Sequence, residues 1–172
     1  MSRRFFINTN VLFLTMSFAS FIVAFSIPHD PLKSDFLRLL VDQAGTLIPS
    51  IGKASTFSAI TDIAAIYWAS MWLIVLIWLP FYFLLSDEQI RPFELVEKRK
   101  AAFYFAPILV IAILYLMYFL PIDGSSQRVQ AMLGSRIGLA VIGGILFPSV
   151  PLFIRVLFMW WHYMPRLLQD KA

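Results

Sequence analysis

The sequence predicts an all-α, polytopic membrane protein: a four-transmembrane-helix bundle in one membrane domain, with an amphipathic helix in its first outer loop. Three observations predict it. Four long apolar runs, 5–27, 63–85, 101–121 and 137–161, divide the chain. Polar residues gather between these runs and do not recur every 3.6 residues within the two central ones, as they would on a soluble amphipathic helix. The chain is 60% hydrophobic and 14% charged, against about a quarter charged in ordinary soluble domains, and its mean hydropathy is +0.78.

The central pair is the clearest. Ile63–Leu85 and Ala101–Pro121 contain no charged residue, and about 20 apolar residues at 1.5 Å per residue cross a bilayer core. The charged elbow between them, Ser86–Lys100, is too polar for lipid, so the pair predicts a transmembrane hairpin. Pro92 breaks the elbow. Glu94 and Lys98, four residues apart, favour an added helical turn before the third span.

The first run, Phe5–Ile27, is softened by Thr15, Ser17, Ser20 and Ser26. Arg3-Arg4 before it and Ala24-Phe25-Ser26 at its end resemble export and cleavage signals, but the run exceeds a signal-peptide core of about 7–15 residues. It is expected to remain as the first span. In the outer loop 28–62, Asp30-Pro31 predicts a helix start. Leu32, Phe36, Leu39 and Leu40 recur at helical spacing, and Gly45 predicts a stop. This helix lies at the membrane surface or against the bundle. Leu47–Ile51 reads as a turn, with Ser55 or Thr56 capping the next helix. The second outer loop, 122–136, reads as a short polar turn. The fourth run carries Gly138, Gly143, Gly144, Pro148, Pro151 and one charge, Arg155, which is expected to snorkel toward the interface. Trp160, Trp161 and Tyr163 form an aromatic belt there, so Arg155, Trp160 and Trp161 are the expected interface anchors.

Orientation follows from Lys and Arg near the spans. Arg3, Arg4, Arg91, Lys98, Arg99, Lys100, Arg166 and Lys171 fall on one side; Lys33, Arg38, Lys53, Arg128 and Arg136 fall on the other. The richer side is cytoplasmic. Both termini are therefore expected in the cytoplasm, in a bacterial inner membrane, with the loop 28–62 facing the periplasm.

The same composition argues against several classes. The basic residues are scattered at span edges, not gathered into a nucleic-acid stripe. Cysteine is absent, which removes disulfide and thiolate chemistry. His29 and His162 fall on opposite sides of the membrane, and a metal site needs three or four convergent ligands. No catalytic triad, phosphate loop or buried carboxylate pair is present, so neither catalysis nor a cofactor is expected. Ion-coupled carriers keep ionisable groups at mid-membrane; here Asp62 and Arg155 each sit near a span end. What the spans offer is small residues four apart: Gly134 and Gly138, Ala140 and Gly144, Ala65 and Ala69, Ser20 and Ala24. Such pairs let helix backbones approach closely in lipid, either within this bundle, the commoner use, or as a groove for another protein's helix.

The segment Leu47-Ile48-Pro49-Ser50-Ile51, followed by Thr61-Asp62 and Tyr67, together with the four-span layout and the turn carrying Arg128 to Met132, resembles the immunity proteins that protect bacteria against pore-forming colicins of the A, B and N type. Gly52 stands where that family has serine or threonine. The resemblance implies a binding function. The partner would be a pore-forming bacteriocin whose transmembrane helical hairpin is met inside the lipid bilayer and kept from opening. It implies toxin recognition at Pro49, Ser50, Asp62, Gly134, Gly138 and Gly144. A second class is an inner-membrane scaffold or accessory subunit of a secretion, conjugation or entry-exclusion system, with partners on the elbow 86–100; a small transporter subunit is a third.

Overall fold

The computed structural model describes residues 9–56, 59–84, 100–119 and 126–169, excepting the side chains at 100–104, 106 and 163–169. The predicted features at Arg3, Arg4, Pro92, Glu94 and Lys98 fall outside these residues. The described chain is helical throughout: α1 (Thr9–Ser26), α2 (Asp35–Leu47), α3 (Pro49–Ala54), α4 (Thr61–Phe83), α5 (Lys100–Phe119), α6 (Gln127–Leu133) and α7 (Arg136–Gln169). Within the described residues α1, α4 and the segment Arg136–His162 of α7 are long and apolar enough to cross a membrane. The third predicted run forms α5, of 20 residues; its apolar segment Pro107–Phe119 is shorter than a span.

Helices α1, α4 and α7 pack against one another, and α5 packs on α7 and α3. The Arg136 guanidinium donates to the carbonyl of Ala24 at 2.9 Å. It thereby closes a free carbonyl in the last turn of α1, where a cation is favoured, and sets α7 antiparallel to α1. Rings of α4 and α7 meet in the same order along both helices. Trp68 lies edge-on to Phe147 at 5.2 Å and Phe83 edge-on to Phe158 at 5.4 Å, so these two helices run parallel.

The long α7 is interrupted chemically but not in its course. Pro148 has no N–H, which leaves the carbonyl of Gly144 without its i+4 donor. The Ser17 hydroxyl of α1 lies 2.6 Å from that carbonyl and donates to it. On the next turn of α1 Ser20 adds a second bond to α7, donating to the carbonyl of Ala140 at 2.9 Å. With its one proton so used, Ser20 accepts from the Tyr67 hydroxyl of α4 at 2.7 Å. One serine thus joins α1, α4 and α7.

Between α1 and α4 the local reading needs correction. Asp30 does not cap a helix; its carboxylate pairs with Lys33 at 2.7 Å, and Pro31–Lys33 makes a single 3-10 turn. The α-helix starts at Asp35 after Ser34 and passes through Gly45 to Leu47. Only Ile48 is extended before α3, which begins with Pro49 at its first position. Ser55 and Thr56 do not cap α4. Their hydroxyls bond back to the carbonyls of Gly52 and Lys53, closing α3. The expected turn at 122–136 contains α6, and Ser135 then caps α7 by accepting the Gly138 N–H at 3.0 Å.

Removing the Ser17 hydroxyl therefore strands a carbonyl inside the bundle. Interhelical side-chain bonds of this kind average about 0.6 kcal/mol and reach about 1.7 kcal/mol in measured membrane bundles. Ser17→Ala should cost stability in that range on unfolding in detergent. Thr15→Ala should cost less, because the Thr15 hydroxyl bonds only carbonyls of its own helix.

Candidate functional site

The small-residue pairs singled out above face inward. Ser20 and Ala24 on α1 are fully buried, as are Ala140 and Gly144 on α7 and Ala69 on α4. A Cβ at Gly144 would lie 3.5 Å from the Ser17 carbonyl and 3.6 Å from Ser20 Oγ, so α1 occupies the groove that the glycine opens. At Gly143 a Cβ would collide with the Tyr67 hydroxyl. Tyr67 reaches Ser20 across the space which that missing side chain leaves.

The other expected recognition residues divide between inside and outside. Gly134 ends α6, and a Cβ there would strike the Gln130 carbonyl. A Cβ at Gly138 would strike the Met132 carbonyl, so Gly138 serves the α6–α7 corner. Ser50 is fully buried and accepts the Trp72 indole N–H at 3.1 Å; it ties α3 to α4. Pro49 and Asp62 are exposed. Asp62 stands in the first turn of α4, where the helix dipole favours a carboxylate. With His29 and Thr61 it lines an open cleft of about 290 Å³. No cluster of three or more metal-ligating side chains occurs among the described residues.

At the opposite end of the bundle, Arg155 lies beside Phe83, the last residue of α4. It is 9% exposed, and its guanidinium lies 5.4 Å from the centre of the Phe83 ring and 5.9 Å from that of Phe158, within cation–π range. Trp160 is half-buried and Trp161 is exposed.

Two surfaces remain open. On α1 Leu14, Phe18, Phe21, Ile22 and Phe25 face outward, while Ser17, Ser20 and Ala24 face inward beside the buried Leu12 and Met16; α5 carries a similar outward belt from Phe105 to Phe119. The second surface is the end of the bundle covered by α2 and α3. Leu37, Leu40, Val41 and Ala44 of α2 pack on the core, while Phe36, Leu39 and Leu47 stay exposed along one flank. Pro49 and Asp62 belong to this end. Nothing in the sequence marked Ser17, Trp72 or Gly143 individually, although Pro148 four residues after Gly144 signals a carbonyl in need of a donor.

Glycine substitutions separate these environments. Gly143→Ala should displace Tyr67 and cost about 1–3 kcal/mol, the usual range for overpacking. Gly52→Ala, with nothing within 4 Å of the added methyl, should be neutral or stabilise α3 by about 0.4–1 kcal/mol. Thermal unfolding in detergent reads both. No family model, curated protein or solved structure matches the chain.

Proposed function

We propose that this protein is a four-span inner-membrane immunity protein that binds a pore-forming, colicin-like toxin within the bilayer and keeps its pore closed. In this reading α5 is the third span, both termini are cytoplasmic, and α2 and α3 cover the periplasmic end. The membrane placement is supported chiefly by the outward face of α1: Leu14, Phe18, Phe21, Ile22 and Phe25 are exposed there, while Ser17 and Ser20 turn their hydroxyls to α7. In water that arrangement exposes a large apolar patch. In lipid it is the low-energy arrangement, because close packing and interhelical hydrogen bonds, rather than hydrophobicity, draw helices together.

The choice of partner is supported by the resemblance of the Leu47–Ile51 segment, Thr61-Asp62 and Tyr67 to the colicin immunity proteins. The internal use of Gly138, Gly144 and Ser50 moves the proposed recognition surface. It falls to the exposed Pro49 and Asp62 at the covered end, and to the outward faces of α1 and α5. These could meet a toxin hairpin sideways, while the end of the bundle discriminates among toxins.

The test is survival of cells expressing the chain when challenged with a panel of pore-forming colicins. Protection by the wild-type chain against at least one toxin is expected. At equal membrane abundance Asp62→Ala should weaken that protection about tenfold, the equivalent of about 1.4 kcal/mol of binding. Charge reversal at Lys98, Arg99 and Lys100 should leave protection intact wherever a reporter shows the topology unchanged. If the wild-type chain protects against none of the panel, the immunity reading fails. Loss through the elbow charges alone would favour the scaffold.

A further inference from the structure

A lateral groove of about 420 Å³ runs between α4, α5 and α7. Its floor and walls include Trp72, Leu114, Tyr118, Val150 and Ile154. Of the three lining residues with polar groups, Tyr115 stands at the exposed rim, and the other two are engaged away from the groove. The Trp72 indole N–H goes to Ser50, and the Tyr118 hydroxyl donates to the carbonyl of Leu47. The surface left to a ligand is hydrocarbon and aromatic ring.

Depth, continuity and size select the occupant. Trp72 is eleven residues into α4, about 16 Å along its axis, which sets the groove within a core about 30 Å thick. The rim residues Ile111, Tyr115 and Phe119 line the groove and also belong to the exposed belt of α5. The groove therefore opens sideways onto the outward face of α5, which the membrane reading sets in lipid until a toxin meets it. At a helix diameter of about 10–12 Å, this volume would hold less than one 5.4 Å turn, too little for a partner's helix or one from a second copy. A flexible apolar chain fits and needs no polar partner.

We infer that this groove holds one acyl chain of a bilayer phospholipid, wedged between α5 and the α4–α7 pair. The inference rests on the membrane reading. The occupied groove fills the space beside Trp72 and joins α5 to the bundle through lipid as well as through side chains.

Bromine on a lipid chain quenches tryptophan fluorescence at close range. The probe is therefore a protein retaining only Trp72, with Trp68, Trp78, Trp160 and Trp161 changed to Phe, in phosphatidylcholine vesicles brominated at mid-chain. Strong quenching is expected, and filling the groove by Leu114→Phe should reduce it at least twofold with helix content unchanged by circular dichroism. Native mass spectrometry of the unsubstituted chain, released from detergent, gives a second reading that does not depend on the tryptophan changes: one retained phospholipid, lost in Leu114→Phe. Quenching equal in both proteins, no retained lipid, or a disulfide dimer formed through Tyr115→Cys would overturn the proposal. A chain recovered in the soluble fraction would instead overturn the membrane reading. A membrane-inserted chain whose Trp72 is not quenched would overturn the groove alone.

Discussion

Everything in this bundle depends on the seam between α1 and α7. Pro148 deprives Gly144 of a backbone donor, and Ser17 supplies a hydroxyl in its place. One turn along, Ser20 takes the carbonyl of Ala140 and receives Tyr67. These bonds require the two backbones to lie close together, and closeness requires Ser20, Ala24, Ala140 and Gly144 on the facing surfaces. Neither part stands alone. Small residues without the hydroxyls would leave a stranded carbonyl, and hydroxyls on helices held apart by larger side chains would not reach. Prolines persist in transmembrane helices where a neighbour satisfies the freed backbone in this way.

The seam also explains why the outward faces are as they are. With the small and hydroxylated residues turned inward, α1 presents Phe18, Phe21 and Phe25 to its surroundings. The single large aromatic contribution to the seam comes from α4, whose Tyr67 uses the space beside Gly143. Farther along, Trp72 repeats the pattern by directing its indole N–H at Ser50 while its ring packs edge-on to Phe147 and Tyr118. Tyr67 and Trp72 therefore both have their polar ends committed to a neighbouring helix. Among the described residues the outward faces of α1 and α5 offer a partner mainly carbon, and Asp62 and His29 stand at the covered end.

Much of this was legible in the residues. Length and the absence of charge located the helices at Thr61–Phe83 and Lys100–Phe119 to within two residues, because a continuous apolar run has no competing local signal. The spacing of Ser20 with Ala24 and of Ala140 with Gly144 identified the surfaces that pack. It did not tell which surface each would meet, since a small-residue pair fits a neighbour in the same chain as well as one in another. The loop between α1 and α4 was read less well. Asp30-Pro31 has the composition of a cap, yet Lys33 competes for the Asp30 carboxylate and wins. Gly45 has the composition of a stop, yet the inward row Leu37, Val41, Ala44 and Ile48 carries the helix past it. Short-range signals yielded there to burial against the bundle. The helix α6 was hidden because seven residues with little apolar periodicity look the same as a turn.

The central claim is that the glycine face of α7 is filled by α1 of the same chain. The protein has no native cysteine, and a Cβ at residue 144 would lie 3.6 Å from the Oγ of Ser20, within disulfide reach. The most direct measurement is oxidation in native membranes of the double variant Ser20→Cys, Gly144→Cys, followed by non-reducing electrophoresis. The account predicts a disulfide within one chain, seen as a faster-migrating monomer. A disulfide found only between chains, or none at all in a folded protein, would contradict it.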